Sequence, residues 1–265
     1  MGANTKIEWC DHTFNPWIGC QRVSPGCVNC YAEHTNTYVR VQRAGGNELW
    51  GPKGARHVTS DANWRKPLAW NRLAAGNRTT AWALDKVHVR PRVFCASLAD
   101  VFEDRPDLVA PRARLFALIQ ATPELDWLLL TKRPENMVRL AQASGWEGDW
   151  PANVWAGCTV EDQQRADERI AHLLAVPAAV RFLSCEPLLG PVDLKGSLYR
   201  NGMWVDPVKR MGESAVARLL KLPSDAHRRA VLDFFCRTCG RHLPDAGDCP
   251  TCDDLPDAYN AEHGR

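Results

Sequence analysis

Cys20, Cys27 and Cys30 constrain this chain more than any other feature. They share one short loop, Gly19-Cys20-Gln21-Arg22-Val23-Ser24-Pro25-Gly26-Cys27-Val28-Asn29-Cys30-Tyr31, directly after a strand-like stretch. Three thiolates with no fourth cysteine beside them suit a metal centre that keeps one position open. A [4Fe–4S] cluster has four irons, so three cysteines leave one iron free to bind a small molecule. A structural zinc ion takes four protein ligands, and closing that tetrahedron would mean recruiting His12 or His34, which flank the loop.

The compartment supports metal ligation over disulfides. Met1-Gly2-Ala3-Asn4-Thr5-Lys6 leads into polar and aromatic residues and not into an apolar signal core. Lys6 also stands where a myristoylation signal wants Ser or Thr. No run of eighteen apolar residues exists, so no membrane span is expected. The expected location is the cytoplasm, where eleven cysteines argue for metal. Seven of them form two clusters, the loop triplet and a late quartet. In the quartet, Cys236-Arg237-Thr238-Cys239-Gly240 and Cys249-Pro250-Thr251-Cys252 are paired knuckles nine residues apart. Two Cys-x2-Cys pairs at that spacing predict a zinc ribbon whose four thiolates close a structural Zn2+ site. So small a segment needs the metal in place of a core.

Charge is unevenly spread. Lys and Arg against Asp and Glu give +6 over residues 1–100, 0 over 101–240 and −4 over 241–265. A basic first third helps to hold a polyanion, or is an ordinary solvated surface. Two tryptophans adjoin basic residues, Trp64-Arg65-Lys66 and Trp70-Asn71-Arg72. Such pairs stack bases or pack a core.

From residue 90 to 190 the pattern repeats as strand, turn, helix. Strands are predicted at 92–98, 126–131, 153–158 and 180–184, with helices over 106–120, from Pro134, and over 161–174. Thr13 to Gly19 would be the first strand, and a helix around Trp64 to Leu73 precedes the second. At least five β units alternating with helices imply an α/β fold with a parallel sheet, open or closed into a barrel. Beyond Pro191 the repeat fades, and 214–235 reads as helical.

In parallel α/β folds chemistry gathers at the carboxyl ends of the strands. Those ends carry Cys20; Ser97 and Asp100, with Glu103 just after; Thr131-Lys132-Arg133; Cys158, Thr159 and Glu161; and Ser184, Cys185 and Glu186. Five such ends in register predict one shared site. Singly, Glu161 also reads as a helix-starting carboxylate, and Cys158 and Cys185 as small apolar residues.

Thr5-Lys6-Ile7-Glu8-Trp9, Asn15-Pro16-Trp17-Ile18-Gly19-Cys20, Ser24 to Glu33, Leu130-Thr131-Lys132-Arg133-Pro134 and Glu186-Pro187-Leu188-Leu189-Gly190-Pro191 together resemble an uncharacterised family common in bacteriophages and prophages. That family is similar to a divergent branch of the radical S-adenosylmethionine (SAM) superfamily. The resemblance covers about residues 5–194. It implies a partial (β/α) barrel over 1–194; beyond it the chain itself reads as a connection over 195–235 and the zinc ribbon with an acidic tail over 236–265. It further implies that Cys20, Cys27 and Cys30 bind three irons of a [4Fe–4S] cluster while SAM chelates the fourth. Reduction would then cleave SAM to methionine and a 5′-deoxyadenosyl radical that abstracts hydrogen from a substrate. By the same resemblance Ser97 and Asp100 would meet the SAM amino group, and Glu161 the ribose hydroxyls. Lys132 and Arg133 would hold the SAM carboxylate or a substrate phosphate, and Tyr31 would pack on adenine. The spacing of six residues between Cys20 and Cys27 exceeds the superfamily's common three.

The implied activity is a radical SAM reaction on a nucleic-acid base or nucleotide, in phage DNA modification or repair. An electron donor such as flavodoxin or ferredoxin would serve as partner. A base in duplex DNA would have to be flipped to reach such a site. Two alternatives stay open: a non-catalytic, metal-stabilised nucleic-acid-binding protein, and a degenerate family member that has lost turnover.

Overall fold

A computed structural model describes Thr5 and residues 7–34, 48–83 and 89–194. All fall within Met1–Asn201, the first of the two units into which the chain divides. The connection over 195–235 and the quartet Cys236, Cys239, Cys249 and Cys252 lie outside the described residues.

The strands are β1 (His12–Thr13), β2 (Trp17–Ile18), β3 (His57–Val58), β4 (Arg92–Cys95), β5 (Asp126–Thr131), β6 (Val154–Thr159) and β7 (Val180–Ser184). The α-helices are α1 (Asp61–Trp64), α2 (Lys66–Ala83), α3 (Val109–Gln120), α4 (Met137–Gln142) and α5 (Gln163–Leu174). Five strands make one sheet in the order β1-β4-β5-β6-β7, every pair parallel, and β2 with β3 forms a separate antiparallel ribbon. Parallel neighbours need a crossover, and α3, α4 and α5 supply the last three in turn. The fold is therefore mixed α/β, a five-stranded parallel sheet flanked by helices.

The register separates two faces. Cys95, Leu129 and Ala156 are partners on adjacent strands. They share one buried core with Trp70 of α2, Phe116 of α3, Leu140 of α4 and Ile170 of α5. Residues of opposite parity, Thr13, Phe94, Leu130, Thr159 and Ser184, line a cavity instead. With side chains alternating along each strand, all the helices named cover the first face and the cavity lies against the second. His12 follows the same rule, stacking on Trp70 with ring centroids 4.3 Å apart. It therefore faces the helices and not the cysteine loop.

The single strand expected over 13–19 is interrupted, and the reason is local. Pro16 has no N–H for a ladder bond. Asn15 turns inward, fully buried, its Nδ2 donating to Ser97 Oγ at 2.9 Å and its Oδ1 accepting from Leu98 N–H at 2.7 Å. The base-stacking reading of Trp64 and Trp70 is likewise corrected, since both rings are buried in the core. Arg114 lies over the Trp64 ring at 4.3 Å as a cation–π contact. The helix expected from Glu161 starts at Gln163, because Asp162 caps it by accepting from Arg165 N–H at 2.7 Å. No described helix is long and apolar enough to cross a membrane.

Candidate functional site

The cavity, about 790 Å³, sits at the carboxyl edge of the sheet under the cysteine loop. Cys20, Cys27, Cys30, Tyr31, Ser97, Asp100, Lys132 and Arg133 all line it. No other described cysteine does: Cys10, Cys95 and Cys158 are buried and Cys185 half-buried elsewhere. All seven described cysteines are free thiols. Glu161 does not line the cavity.

Asp100 organises the floor. Its Oδ1 accepts from the Thr131 hydroxyl at 2.6 Å and from Phe102 N–H at 3.0 Å. Its Oδ2 accepts from Lys132 N–H at 3.1 Å and from Arg133 Nη1 at 2.8 Å. Burial pushes this carboxyl up, but Arg133 and those hydrogen bonds outweigh burial and hold it below the usual carboxylate range. Both oxygens are thus engaged by the protein itself. Burial likewise works against the charge of Arg133, which Asp100 and the nearby Cys20 and Glu103 more than restore.

Arg133 then reaches the loop. Its Nη2 donates to Gln21 O at 2.6 Å, and its Nη1 lies 3.7 Å from Cys20 Sγ. Behind it, Glu103 pairs with Arg56 at 2.6 Å, and Arg56 donates to the carbonyls of Leu49, Gly51 and Gly54. Gly51 N–H closes the circuit on Cys20 O at 3.0 Å. Gly19 enters the loop at φ +113°, where a Cβ would meet Leu49 O at 2.4 Å, so only glycine fits.

Two further attachments hold the loop. Tyr31 Oη donates to Ser97 O at 2.8 Å. Glu161 is fully buried behind Gly26: one oxygen accepts from Arg169 at 2.7 Å, the other has no partner among the described residues, and a Cβ on Gly26 would meet its Cδ at 3.1 Å. The structure therefore puts Glu161 under the loop as its support.

Burial pushes the Cys20 thiol up to about 12; Asp100 adds to this, and Arg133 works against it. A metal ligand must be a thiolate, so a metal at this position would release a proton and draw on the positive charge of Arg133. Among the described residues, no three His, Cys, Asp or Glu side chains converge as ligands of one ion would. A cluster takes one thiolate per iron and has no need of a common point. Three thiols of one loop around one cavity fit that donor set.

Asn15 and Arg56 were missed by sequence reasoning, although both are buried and hold the site together. The available signal was the Asn-Pro pair inside an apolar run, which marks a turn where a strand was expected.

No curated protein and no solved structure matches the chain. The family described as "Protein of unknown function (DUF5131)" matches residues 4–243, a span containing every residue that lines the cavity. It also runs past residue 194 to take in Cys236 and Cys239. The chain belongs to the DUF5131 family.

Proposed function

We propose that this chain is an iron–sulfur enzyme of the radical SAM type, with Cys20, Cys27 and Cys30 each holding one iron of a [4Fe–4S] cluster. One observation carries the reading: these three cysteines, and no other described ones, line a single cavity at the carboxyl edge of a parallel sheet. Sheet order follows chain order from β4 to β7 without reversal, helices cover one face and the cavity lies on the other. That arrangement supports a partial (β/α) barrel, in which reactants sit inside the curve of the sheet.

When bound, such a cluster with SAM on its open iron supplies one-electron cleavage of SAM and hydrogen-atom abstraction from a substrate. The protein's part is placement. Asp100 fixes Arg133, and Arg133 holds the Cys20 end of the loop and offsets thiolate charge. Tyr31 and Ser97 pin the Cys30 end, and Thr13, Phe94 and Leu130 wall the cavity from the sheet. A nucleic-acid base or nucleotide is the substrate class this reading favours, in a phage setting and a cytoplasmic location. Electrons would come from a flavodoxin or ferredoxin. The quartet Cys236, Cys239, Cys249 and Cys252 would hold a separate structural Zn2+.

The test is anaerobic incubation of the purified chain with SAM and dithionite, followed by assay of 5′-deoxyadenosine. Release by the wild-type chain and none by Cys27→Ala is the expected result. Equal traces from both chains would overturn the reading.

A further inference from the structure

The described tryptophan side chains are buried at every position but two, Trp9 and Trp155, which are half-buried. Of those two, only Trp9 lines the cavity. Its place there is built by the segment ahead of β1. Thr5 N–H donates to Asp11 O at 3.1 Å and Cys10 N–H to Ile7 O at 3.3 Å, which folds this segment back on itself. Asp11 fastens it to β4, its N–H donating to Arg92 O at 2.9 Å and its Oδ2 accepting from Arg92 N–H at 2.8 Å. Thr5, Ile7 and Trp9, every second residue, then line the cavity. The Trp9 ring meets Phe94 with centroids 4.7 Å apart and planes at 57°. Such a tilted contact does not cover the indole face as a stacked one would. Beside Phe94 stands Thr13, its register partner on β1 and on the same face. The Thr13 hydroxyl has no hydrogen-bond partner among the described residues. The Thr5 hydroxyl accepts from Ile7 N–H at 3.2 Å and keeps its own proton to donate. This part of the cavity thus joins two aromatic rings with two hydroxyls and carries no charge.

We propose that Trp9, Phe94, Thr5 and Thr13 form a seat for a planar heteroaromatic ring, the nucleobase of the substrate. An aromatic wall with an open face favours a flat ring, and stacking on it tolerates any base. The two hydroxyls, each donor and acceptor, fit the mixed hydrogen-bonding edge of a base and have no counterpart on a hydrocarbon ring. An uncharged seat also selects a neutral ring over a phosphate. Thr13 and Phe94 stand on the strands themselves, whereas the three cysteines sit on the loop beyond the carboxyl edge. Tyr31, to which the family resemblance gives the SAM adenine, belongs to that loop and is tied to Ser97 O. The inference deepens the proposed function and rests on it for calling the ring a substrate, though not for the ring seat itself.

The test titrates the four 2′-deoxynucleosides, which carry a base and no phosphate, into the purified full chain. Binding is followed by saturation-transfer NMR, which also shows which protons of the nucleoside touch protein. The chains are the wild type, Trp9→Ala, Trp9→Phe, Thr13→Val, and Leu73→Ala as an exposed apolar control on α2. At least one nucleoside should bind the wild type with transfer strongest at its base protons. Losing the stacking ring should weaken it about fivefold to a hundredfold in Trp9→Ala. Trp9→Phe keeps a flat ring and should retain most of the binding, which also guards against a misfolded Trp9→Ala. Thr13→Val should cost about threefold to tenfold and alter the ranking of the four bases. Leu73→Ala should bind as the wild type does. No binding by any nucleoside, or equal binding by the wild type and both Trp9 variants, overturns the seat. SAM is titrated separately into the reduced, iron-loaded chains and followed by paramagnetic resonance. Its half-saturation should be unchanged in Trp9→Ala; a rise matching that of the nucleoside would give the seat to the SAM adenine and overturn the inference. Nucleoside binding through Trp9 in a chain that yields no cluster signal would keep the seat and discard the radical reading. SAM cleavage with nucleoside binding indifferent to Trp9 would do the reverse.

Discussion

Between Cys20 and His34 only Ala32 is buried, whereas Asp100, Glu103, Thr131, Arg133 and Thr159 of the sheet edge beneath are all buried. The loop that carries the thiols has almost no core of its own. The edge carries charge where a core would be, and pairs it. The loop takes its position from four attachments to its surroundings: Arg133 to Gln21 O, Gly51 N–H to Cys20 O, Gly26 against Glu161, and Tyr31 to Ser97 O. The contrast teaches that, on the proposed reading, stability and the holding of a cluster would be separable. Changes in the edge should move both strongly, and changes in the loop should move metal more than stability.

The largest effect on stability is expected from Arg133→Met. Removing one partner of a buried pair leaves Asp100 unpaired, at a cost of about 3–5 kcal/mol, read as a lower urea midpoint together with lost iron. Its pH dependence sharpens the point. In the wild type the Asp100 carboxyl is held below its unfolded value of about 3.9. Its contribution is therefore present above about pH 4 and is lost as pH falls through the folded value. Without Arg133, desolvation raises the same carboxyl, so the variant gains from protonation. The gap between the two chains should be widest near neutral pH and narrow below about pH 4. A gap independent of pH would contradict the role given to Asp100.

Gly26→Ala comes next. Its Cβ would press on a Glu161 side chain that is fully buried and tied to Arg169, and so cannot yield. Overpacking of this kind costs about 1–3 kcal/mol, and here the exposed loop is the part free to move. Iron per chain should fall while far-ultraviolet circular dichroism stays that of the wild type. Tyr31→Phe removes one hydrogen bond from a side chain 60% exposed. About 0.5–1.5 kcal/mol is the ceiling, and iron release to a chelator should quicken. Cys27→Ala is the smallest change in stability, within about 0.5 kcal/mol, yet it should abolish iron–sulfur absorbance. Unchanged iron in that variant would sink the ligand assignment.

Much of this was legible in the chain. Leu128-Leu129-Leu130 and Val180 to Ser184 announced strands by apolar runs between turn signals, and the strand-end rule collected Ser97, Asp100, Lys132 and Arg133 at one cavity. What escaped were long-range polar arrangements. Nothing near Arg56 in sequence reveals that Glu103, 47 residues away, receives its guanidinium. Glu161 fell outside the cavity because Asp162 took the cap and Arg169 drew its carboxylate inward, a choice made by tertiary packing. Trp64 and Trp70 adjoin basic residues in sequence, but the apolar face of the helices buried their rings.

The most direct test of the central claim is electron paramagnetic resonance on anaerobically purified, dithionite-reduced protein, with and without SAM. A [4Fe–4S]⁺ signal whose g-values move when SAM is added is the predicted result, because an open iron is what three cysteines leave. No cluster signal, with zinc found in place of iron, would contradict the account and favour a metal-stabilised binding protein.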